Sequence, residues 1–260
     1  MKKVLLYIFL CVSILTSCDR SKPYTINGSF DIPMELNMGD TIIQREKFEG
    51  LSVYLLDLDG EKIDSTLVDE DEKFCFEGNV SENNAFFSVI DLGFAQEIFA
   101  IEPGEITMTI TEEGILTYGT AINDGINDVN SQIDELAEDF NNKLTAMETD
   151  ETGTPSDSLL MPVWTDFNDK CNTLLNTLYE QNSENLLGVY IVNMMTSSAQ
   201  SSAEFDQILE EYSDYVKDSP MITVHRNYLQ QLEARQEYME MMRDSQLSEE
   251  EQDSDVVEVE

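Results

Sequence analysis

The apolar residues change their spacing near residue 119, and this change restricts the chain to few folds. From residue 24 to 119, apolar and polar residues alternate in short segments bounded by turn residues, which is typical of β-strands. Beyond residue 119, apolar residues recur at steps of three and four, which is typical of amphipathic helices. We therefore predict an α+β protein with a β-rich domain at 24–119 and a helical domain at 120–243.

Turn motifs divide the β-rich segment into strands. Asp59-Gly60 fits a two-residue hairpin turn between strands at Leu51–Leu58 and Lys62–Val68. Pro103-Gly104 predicts a second turn, followed by a strand whose isoleucine and methionine side chains face inward. At least six such strands follow one another without an intervening helix. This pattern predicts an antiparallel, sandwich-like sheet.

The helical segment contains about five apolar stripes. The first runs from Ile126 to Met147, and Asn123 and Asp124 are predicted to cap its helix. Three further helices are predicted around Trp164, at Leu186–Met195 and at Phe205–Val216. Pro220 fits the first turn of a fifth helix. Residues 244–260 are rich in acids and lack a basic residue, so a disordered tail is predicted there.

The first eighteen residues resemble a bacterial lipoprotein signal. Met1-Lys2-Lys3 is positively charged, and Val4–Leu15 is an apolar run too short to span a membrane. Leu15-Thr16-Ser17 then places an aliphatic and two small residues before Cys18, as in a lipobox. We predict a signal peptide at 1–17, acylation of Cys18 and a short linker at 18–23. The alternative is a soluble secreted protein with an incidental cysteine.

The charge of the chain excludes some classes of partner. There are 53 acidic and 14 basic residues, and the formal net charge is −39. Such a chain has no basic surface to replace the counterions of phosphates, so nucleic acid is not an expected partner. Solubility and self-repulsion explain the charge in the simplest way. Cation binding by the acidic surface remains an alternative.

Few residues could carry out catalysis. His225, the single histidine, lies near the start of a predicted helix, where a structural role is the simpler interpretation. Cys75 and Cys171 show no metal-ligand spacing with it, and neither belongs to a C-x-x-C motif. Cys171 lies on an apolar helix stripe, whereas Cys75 shares a strand face with Lys73 and Glu77. We predict no catalytic residue, cofactor or metal ligand, and a redox role for Cys75 is the alternative.

Several segments together resemble a known domain. They are YTINGSF (24–30), VYLLDLDGEKIDSTLV (53–68), KFCFEG (73–78), IEPGEITMTI (101–110) and YGTAINDGIND (118–128). The sequence is similar here to the uncharacterised β-rich domain at the start of lipid-anchored, thioredoxin-like thiol-disulfide oxidoreductases of Gram-negative bacteria. The resemblance covers 24–128 well and the helices to residue 243 more loosely. It implies a fold, but no catalytic residue can be carried over, because the C-x-x-C motif of the thioredoxin domain is missing.

These observations lead to one expected function and one alternative. We expect a non-catalytic, lipid-anchored cell-envelope protein, attached through Cys18, that acts as an interaction or ligand-binding module. Asp19-Arg20 is not the acidic run expected of a surface-export signal, so the outer membrane facing the periplasm is the expected location. The partner would be the membrane and an unknown envelope protein or ligand. The alternative is an accessory to thiol-disulfide redox, or an enzyme whose site the sequence does not reveal.

Overall fold

A computed structural model describes residues 21–38, 41–81, 84–147 and 157–255. The predicted signal peptide at 1–17 and the lipidation site Cys18 lie outside these residues and stay predictions. Two compact units, Met1–Glu135 and Leu136–Glu260, divide the chain. The first unit contains the strands and the second is helical, which confirms the predicted α+β class.

Ten strands form within the described residues, and eight of them build two four-stranded sheets. The first sheet has the strand order β10-β9-β1-β6, and the second has the order β5-β4-β7-β8. Strands β2 and β3 form a separate hairpin. The strands are β1 Ser21–Phe30, β2 Glu35–Met38, β3 Thr41–Gln44, β4 Ser52–Leu56, β5 Lys62–Leu67, β6 Lys73–Ser81, β7 Phe86–Asp91, β8 Gln96–Ile101, β9 Gly104–Ile110 and β10 Ile115–Tyr118.

One pair of neighbouring strands differs from the antiparallel arrangement predicted. Strand β1 runs parallel to β9, with Ile26 opposite Ile106, whereas the remaining neighbours within the two sheets are antiparallel. Alternation shows which side chains are buried but not in which direction a strand meets its neighbour. Seven other strands separate β1 from β9 in the sequence, so no hairpin forces the two to be antiparallel.

The positions of both predicted turns are confirmed, but the first is not a two-residue turn. The N–H of Asp57 donates to the carbonyl oxygen of Glu61, so three residues lie in the loop rather than two. The Asp57 side chain accepts hydrogen bonds from the backbone N–H groups of Asp59 and Glu61, and Gly60 has a φ of +83°. This geometry closes the hairpin between β4 and β5. Gly104 has a φ of +131°, which an L side chain rarely adopts, where the chain turns from β8 into β9.

Apolar side chains from both sheets form one core in the first unit. Strands of the first sheet contribute Ile26, Ile106 and Met108, and strands of the second contribute Leu55 and Ile90. All five are fully buried. The alternation identified in the sequence therefore corresponds to one buried face on each sheet.

An ion pair lies beside this core, next to the β5–β6 turn. Arg45 meets both carboxylate oxygens of Glu72, at 2.7 and 2.9 Å, and also donates to the carbonyl oxygen of Ile32. Glu72 accepts a further bond from the backbone N–H of Phe48 at 3.0 Å. The Arg45 side chain is 10% exposed and that of Glu72 is 15% exposed. The pair thus joins three segments of the chain, at Ile32, Arg45–Phe48 and Glu72.

Within the part of the chain that the structure describes, six helices follow the strands, one more than predicted. Phe205–Val216 was predicted as one helix, but two helices form, and Ser213 caps the second of them by accepting from the N–H of Val216. A hydroxyl that starts a new helix outweighs a continuous apolar stripe at this point. The helices are α1 Ala121–Thr145, α2 Asp157–Asn182, α3 Leu186–Met195, α4 Ser202–Leu209, α5 Asp214–Lys217 and α6 Pro220–Asp255.

Two other predictions about helix ends need correction. Helix α1 begins at Ala121, so Asn123 and Asp124 lie inside its first turn and are not its cap residues. Helix α6 extends to Asp255, so residues 244–255 have a helical backbone where disorder was predicted. Glutamate and glutamine are good helix formers, and a high density of acids does not by itself prevent a helix. Among the described helices, none is both long and apolar enough to cross a membrane.

Candidate functional site

A groove lies in the first unit where the edges of the two sheets face the start of helix α1. Its walls come from edge strands β8 and β10, and residues 123–134 of α1 line the third side. The groove has a volume of about 550 Å³. That volume falls within the range of ligand pockets, roughly 300–1,000 Å³.

Asn123 connects the helix to the edge of β8. Its Oδ1 accepts from the N–H of Ala100 at 2.9 Å, and its Nδ2 donates to the carbonyl oxygen of Ala100 at 2.8 Å. Nδ2 also donates to Oγ1 of Thr120 at 2.8 Å. Asn123 is 1% exposed, so these bonds lie away from water. The Asn123 amide thus makes the two main-chain hydrogen bonds that a neighbouring strand would make, and it satisfies the edge of β8 at Ala100.

Asn127, one helical turn further on, bonds to the edge of β10. Its Nδ2 donates to the carbonyl oxygen of Thr117 at 2.7 Å. Two asparagines on one face of α1 therefore bond to the two opposite sheet edges. The helix covers one end of the gap between these edges, and the groove occupies the remainder.

Thr117 has a buried hydroxyl that no group of the described chain satisfies. The residue lines the groove and is 7% exposed, and its Oγ1 has no hydrogen-bond partner among the described residues. A buried hydroxyl without a partner carries an unfavourable free energy of about 1–3 kcal/mol. A polar ligand atom or a water molecule at this position would remove that penalty.

The charged groups of the groove are acidic. Glu97 and Asp134 line it, and no lysine, arginine or histidine is found among its lining residues. Burial raises the pKa of the Glu97 carboxyl. A carboxylate without a nearby cation favours a positively charged or hydrogen-bond-donating ligand and disfavours phosphates and carboxylates.

Apolar side chains form the rim of the groove. Ile98 is 41% exposed, Leu116 is 56% exposed and Tyr118 is 43% exposed. Together with the asparagines and acids below them, they form a surface with apolar edges and a polar interior. This combination is typical of binding sites, in which apolar area contributes affinity and a few polar groups fix orientation.

Within the described residues, the two cysteines considered in the sequence have no disulfide or metal partner. Both Cys75 and Cys171 are free, and no described group of three histidine, cysteine or acidic residues could hold a metal ion. Partial burial, followed by the nearby Glu77 carboxylate, raises the pKa of the Cys75 thiol. Burial likewise raises the pKa of Cys171. Both sulfurs therefore favour the less reactive thiol form.

His225 is held in a structural environment. Its Nδ1 lies 2.9 Å from Oδ1 of Asn193, and its ring packs at 4.6 Å from the ring of Phe205. Burial lowers the pKa of His225, which favours the neutral ring. These contacts hold the His225 ring between Asn193 and Phe205, and its structural role stays a prediction.

The groove lies largely within a segment that matches a known family. Residues 24–126 match the family model of a domain of unknown function, DUF4369. The match covers most of the segment, 24–128, for which the sequence indicated a family resemblance. It bears on neither a thioredoxin-like partner domain nor a lipid anchor. No curated protein matches the chain.

The matched segment supplies both sheet edges and the start of α1, but the sequence did not reveal the groove. Asn123 and Asn127 were visible as a pair four residues apart, which places two amides on one helix face. That spacing was the available signal. Asn123 was interpreted, together with Asp124, as a helix cap, and Asn127 was not singled out, because the sequence does not show which strand ends at which edge.

Proposed function

We propose that this protein is a non-catalytic, lipid-anchored cell-envelope protein whose β-rich domain binds a ligand in the groove between β8 and β10. The observation that supports the proposal most directly is the groove itself, with the unpartnered Thr117 hydroxyl and an acidic, partly buried Glu97 on its wall. The family resemblance and the lipobox support the location. The ligand would be uncharged or cationic, because the lining residues carry negative charge.

The alternative function, an accessory to thiol-disulfide redox, has less support. It would use Cys75, whose thiol has a raised pKa and whose neighbour Glu77 opposes formation of a thiolate. An enzyme with an unrecognised site would need groups able to transfer protons at the groove. Glu97 lines the groove, and burial raises the pKa of its carboxyl.

Replacing Leu116 by arginine is expected to weaken ligand binding at least tenfold. The new guanidinium would extend from the rim towards Glu97 and Asp134. It would fill space that a ligand needs and would neutralise the acids that attract the ligand. Leu67→Arg is the matched control, because Leu67 is also an exposed leucine on an edge strand, 61% exposed, and does not line the groove. Isothermal titration calorimetry of the mature chain in detergent measures the dissociation constant. Cationic, neutral and anionic oligomers serve as the ligands.

The proposal predicts that a cationic or neutral oligomer binds the wild type and the Leu67→Arg variant equally, and that the Leu116→Arg variant loses this binding. Binding of the anionic oligomer alone would contradict it. Binding that survives Leu116→Arg, or absence of binding to the whole panel, would contradict it as well.

The anchor can be tested separately. In cells fed an alkyne-tagged fatty acid, the wild-type chain is expected to carry the tag and to sediment with membranes. Cys18→Ser is expected to abolish the tag, whereas Cys75→Ser should retain it. A tag that persists in Cys18→Ser would show that Cys18 is not the attachment point.

A further inference from the structure

We propose that the groove binds an extended polypeptide segment carrying lysine or arginine, which adds as a strand to the edge of β8 at Ile98. The inference rests on the function proposed above and adds to it the chemical class of the ligand. It is carried by the direction of the main-chain groups, the uncompensated acids and the buried hydroxyl.

The main-chain argument begins at Ala100. Its N–H and C=O point away from β7, because both are bonded by Asn123 on the other side. Groups two residues apart on a strand point in the same direction, so the N–H and C=O of Ile98 also point away from β7. Ile98 lines the groove, and Asn123 does not reach it. Its main-chain groups are therefore placed to pair with an added strand.

The opposite wall has a similar arrangement. The carbonyl oxygen of Thr117 points away from β9 towards Asn127, and the same alternation directs the main-chain groups of Ile115 towards the groove. Each wall is the edge of a different sheet. An extended segment has the same two-residue repeat as these edges, which a compact ligand such as a sugar ring does not share.

The charge of the groove determines the side chains that such a segment needs. Glu97 and Asp134 form no ion pair among the described residues, and the chain as a whole carries a formal charge of −39. A lysine or arginine on the added segment would supply the missing cation. The attraction would also speed association at low ionic strength.

The Thr117 hydroxyl and the rim complete the argument. Oγ1 of Thr117 lacks a hydrogen bond within the described residues and has almost no accessible surface, so its neighbours would have to shift slightly before a side-chain donor or acceptor of the segment could bond to it. Ile98 and Leu116 on the rim would cover the apolar side chains or side-chain stems of alternating residues. Side chains of a strand alternate in direction, so the same segment can contact both the acids and the rim.

The test uses an octapeptide in which lysine alternates with valine or threonine. Three matched probes accompany it: the same peptide with glutamate for lysine, and two versions that are N-methylated on alternate backbone amides, one for each register. A neutral hexasaccharide is the fourth probe. Each is titrated into the full mature chain, and the dissociation constant is measured.

Strand addition predicts a specific pattern. The lysine peptide binds, the glutamate peptide binds at least tenfold more weakly, and one of the two N-methylated registers loses at least tenfold in affinity while the other does not. Glu97→Gln weakens the lysine peptide about tenfold, whereas Glu113→Gln, an exposed acid in the β9–β10 turn, leaves its affinity unchanged. Equal affinity of both N-methylated peptides and the parent would overturn strand addition.

Failure of this inference is distinguishable from failure of the proposed function. If the hexasaccharide binds, Leu116→Arg abolishes its binding and the lysine peptide does not bind, the groove is a ligand site for another class of ligand and the peptide inference is wrong. If no probe responds to Leu116→Arg, both are wrong.

Discussion

Replacing Asn123 by leucine is expected to lower the free energy of unfolding of the first unit by about 3 kcal/mol. The substitution removes three hydrogen bonds and leaves the N–H and C=O of Ala100 buried without partners. Each such group costs about 1–3 kcal/mol, and leucine recovers part of that loss through apolar burial at a position that is 1% exposed. Hydrogen exchange of amides in residues 24–118 under increasing urea measures the effect.

Asn142→Leu provides the control for this prediction. It makes the same chemical change on the same helix at an exposed position, so a change of less than about 0.5 kcal/mol is expected. Equal effects of the two substitutions would show that the bonds to Ala100 do not stabilise the sheet edge. The lysine peptide should also bind more weakly to Asn123→Leu, because the groove depends on the position of α1 against β8.

Replacing Glu72 by glutamine is expected to destabilise the first unit by about 2 kcal/mol at pH 7. Arg45, followed by the backbone N–H of Phe48, lowers the pKa of Glu72 from its ordinary value of 4.5 to about 2. The full difference would correspond to about 3 kcal/mol, and residual contact with water reduces it. Glutamine keeps the shape of glutamate but leaves the largely buried guanidinium without its counter-charge.

The pH dependence of this effect has a definite sign. Because the folded state lowers the pKa of Glu72, the ionised carboxylate stabilises the fold fully above about pH 4.5. That stabilisation is lost as the pH falls from about 4.5 towards 2. The difference in unfolding free energy between wild type and Glu72→Gln should therefore shrink over this range. Urea titrations at several pH values measure it, and a difference that stays constant down to pH 2 would contradict the assignment.

Glu70→Gln is the control for Glu72→Gln. Glu70 is exposed in the same turn, and the bond at this residue is made by its backbone carbonyl, which accepts from Lys47. The substitution should leave both the stability and its pH dependence nearly unchanged. The backbone at residue 72 has a φ of +60°, which is unfavourable for glutamate and glutamine alike. The comparison of wild type with Glu72→Gln therefore reports the loss of the charge.

Local signals predicted much of the fold. The period-two pattern identified the strands around Asp59-Gly60 and Pro103-Gly104, and the apolar stripe identified Leu186–Met195 to the residue. These features depend on neighbours in sequence, for which spacing and turn chemistry are sufficient. The parallel pairing of β1 with β9 and the break near Ser213 depend on packing, or on a single hydroxyl, and the apolar pattern does not contain them.

The groove could be predicted even less well from local sequence patterns. Its residues come from β8, β10 and α1, and their meeting follows from which strand ends each sheet. Asn123 was interpreted as a cap because asparagine is common at helix starts, and Asn127 was not singled out. Their bonds to Ala100 and Thr117 join residues 23 and 10 positions apart, which becomes apparent once the strand order is known.

The parallel pairing of β1 with β9 also affects the order of folding. Tyr24 lies opposite Gly104, so the first sheet cannot be completed until about eighty residues of intervening chain have been brought together. Contacts between such distant residues slow folding, because the chain loses conformational entropy on closing the loop before the hydrogen bonds of the sheet form. We expect β1 to pair with β6 before β9 is available and to keep one unpaired edge until β9 joins. A chain interrupted between residues 81 and 104 would therefore expose that edge and would be prone to aggregate.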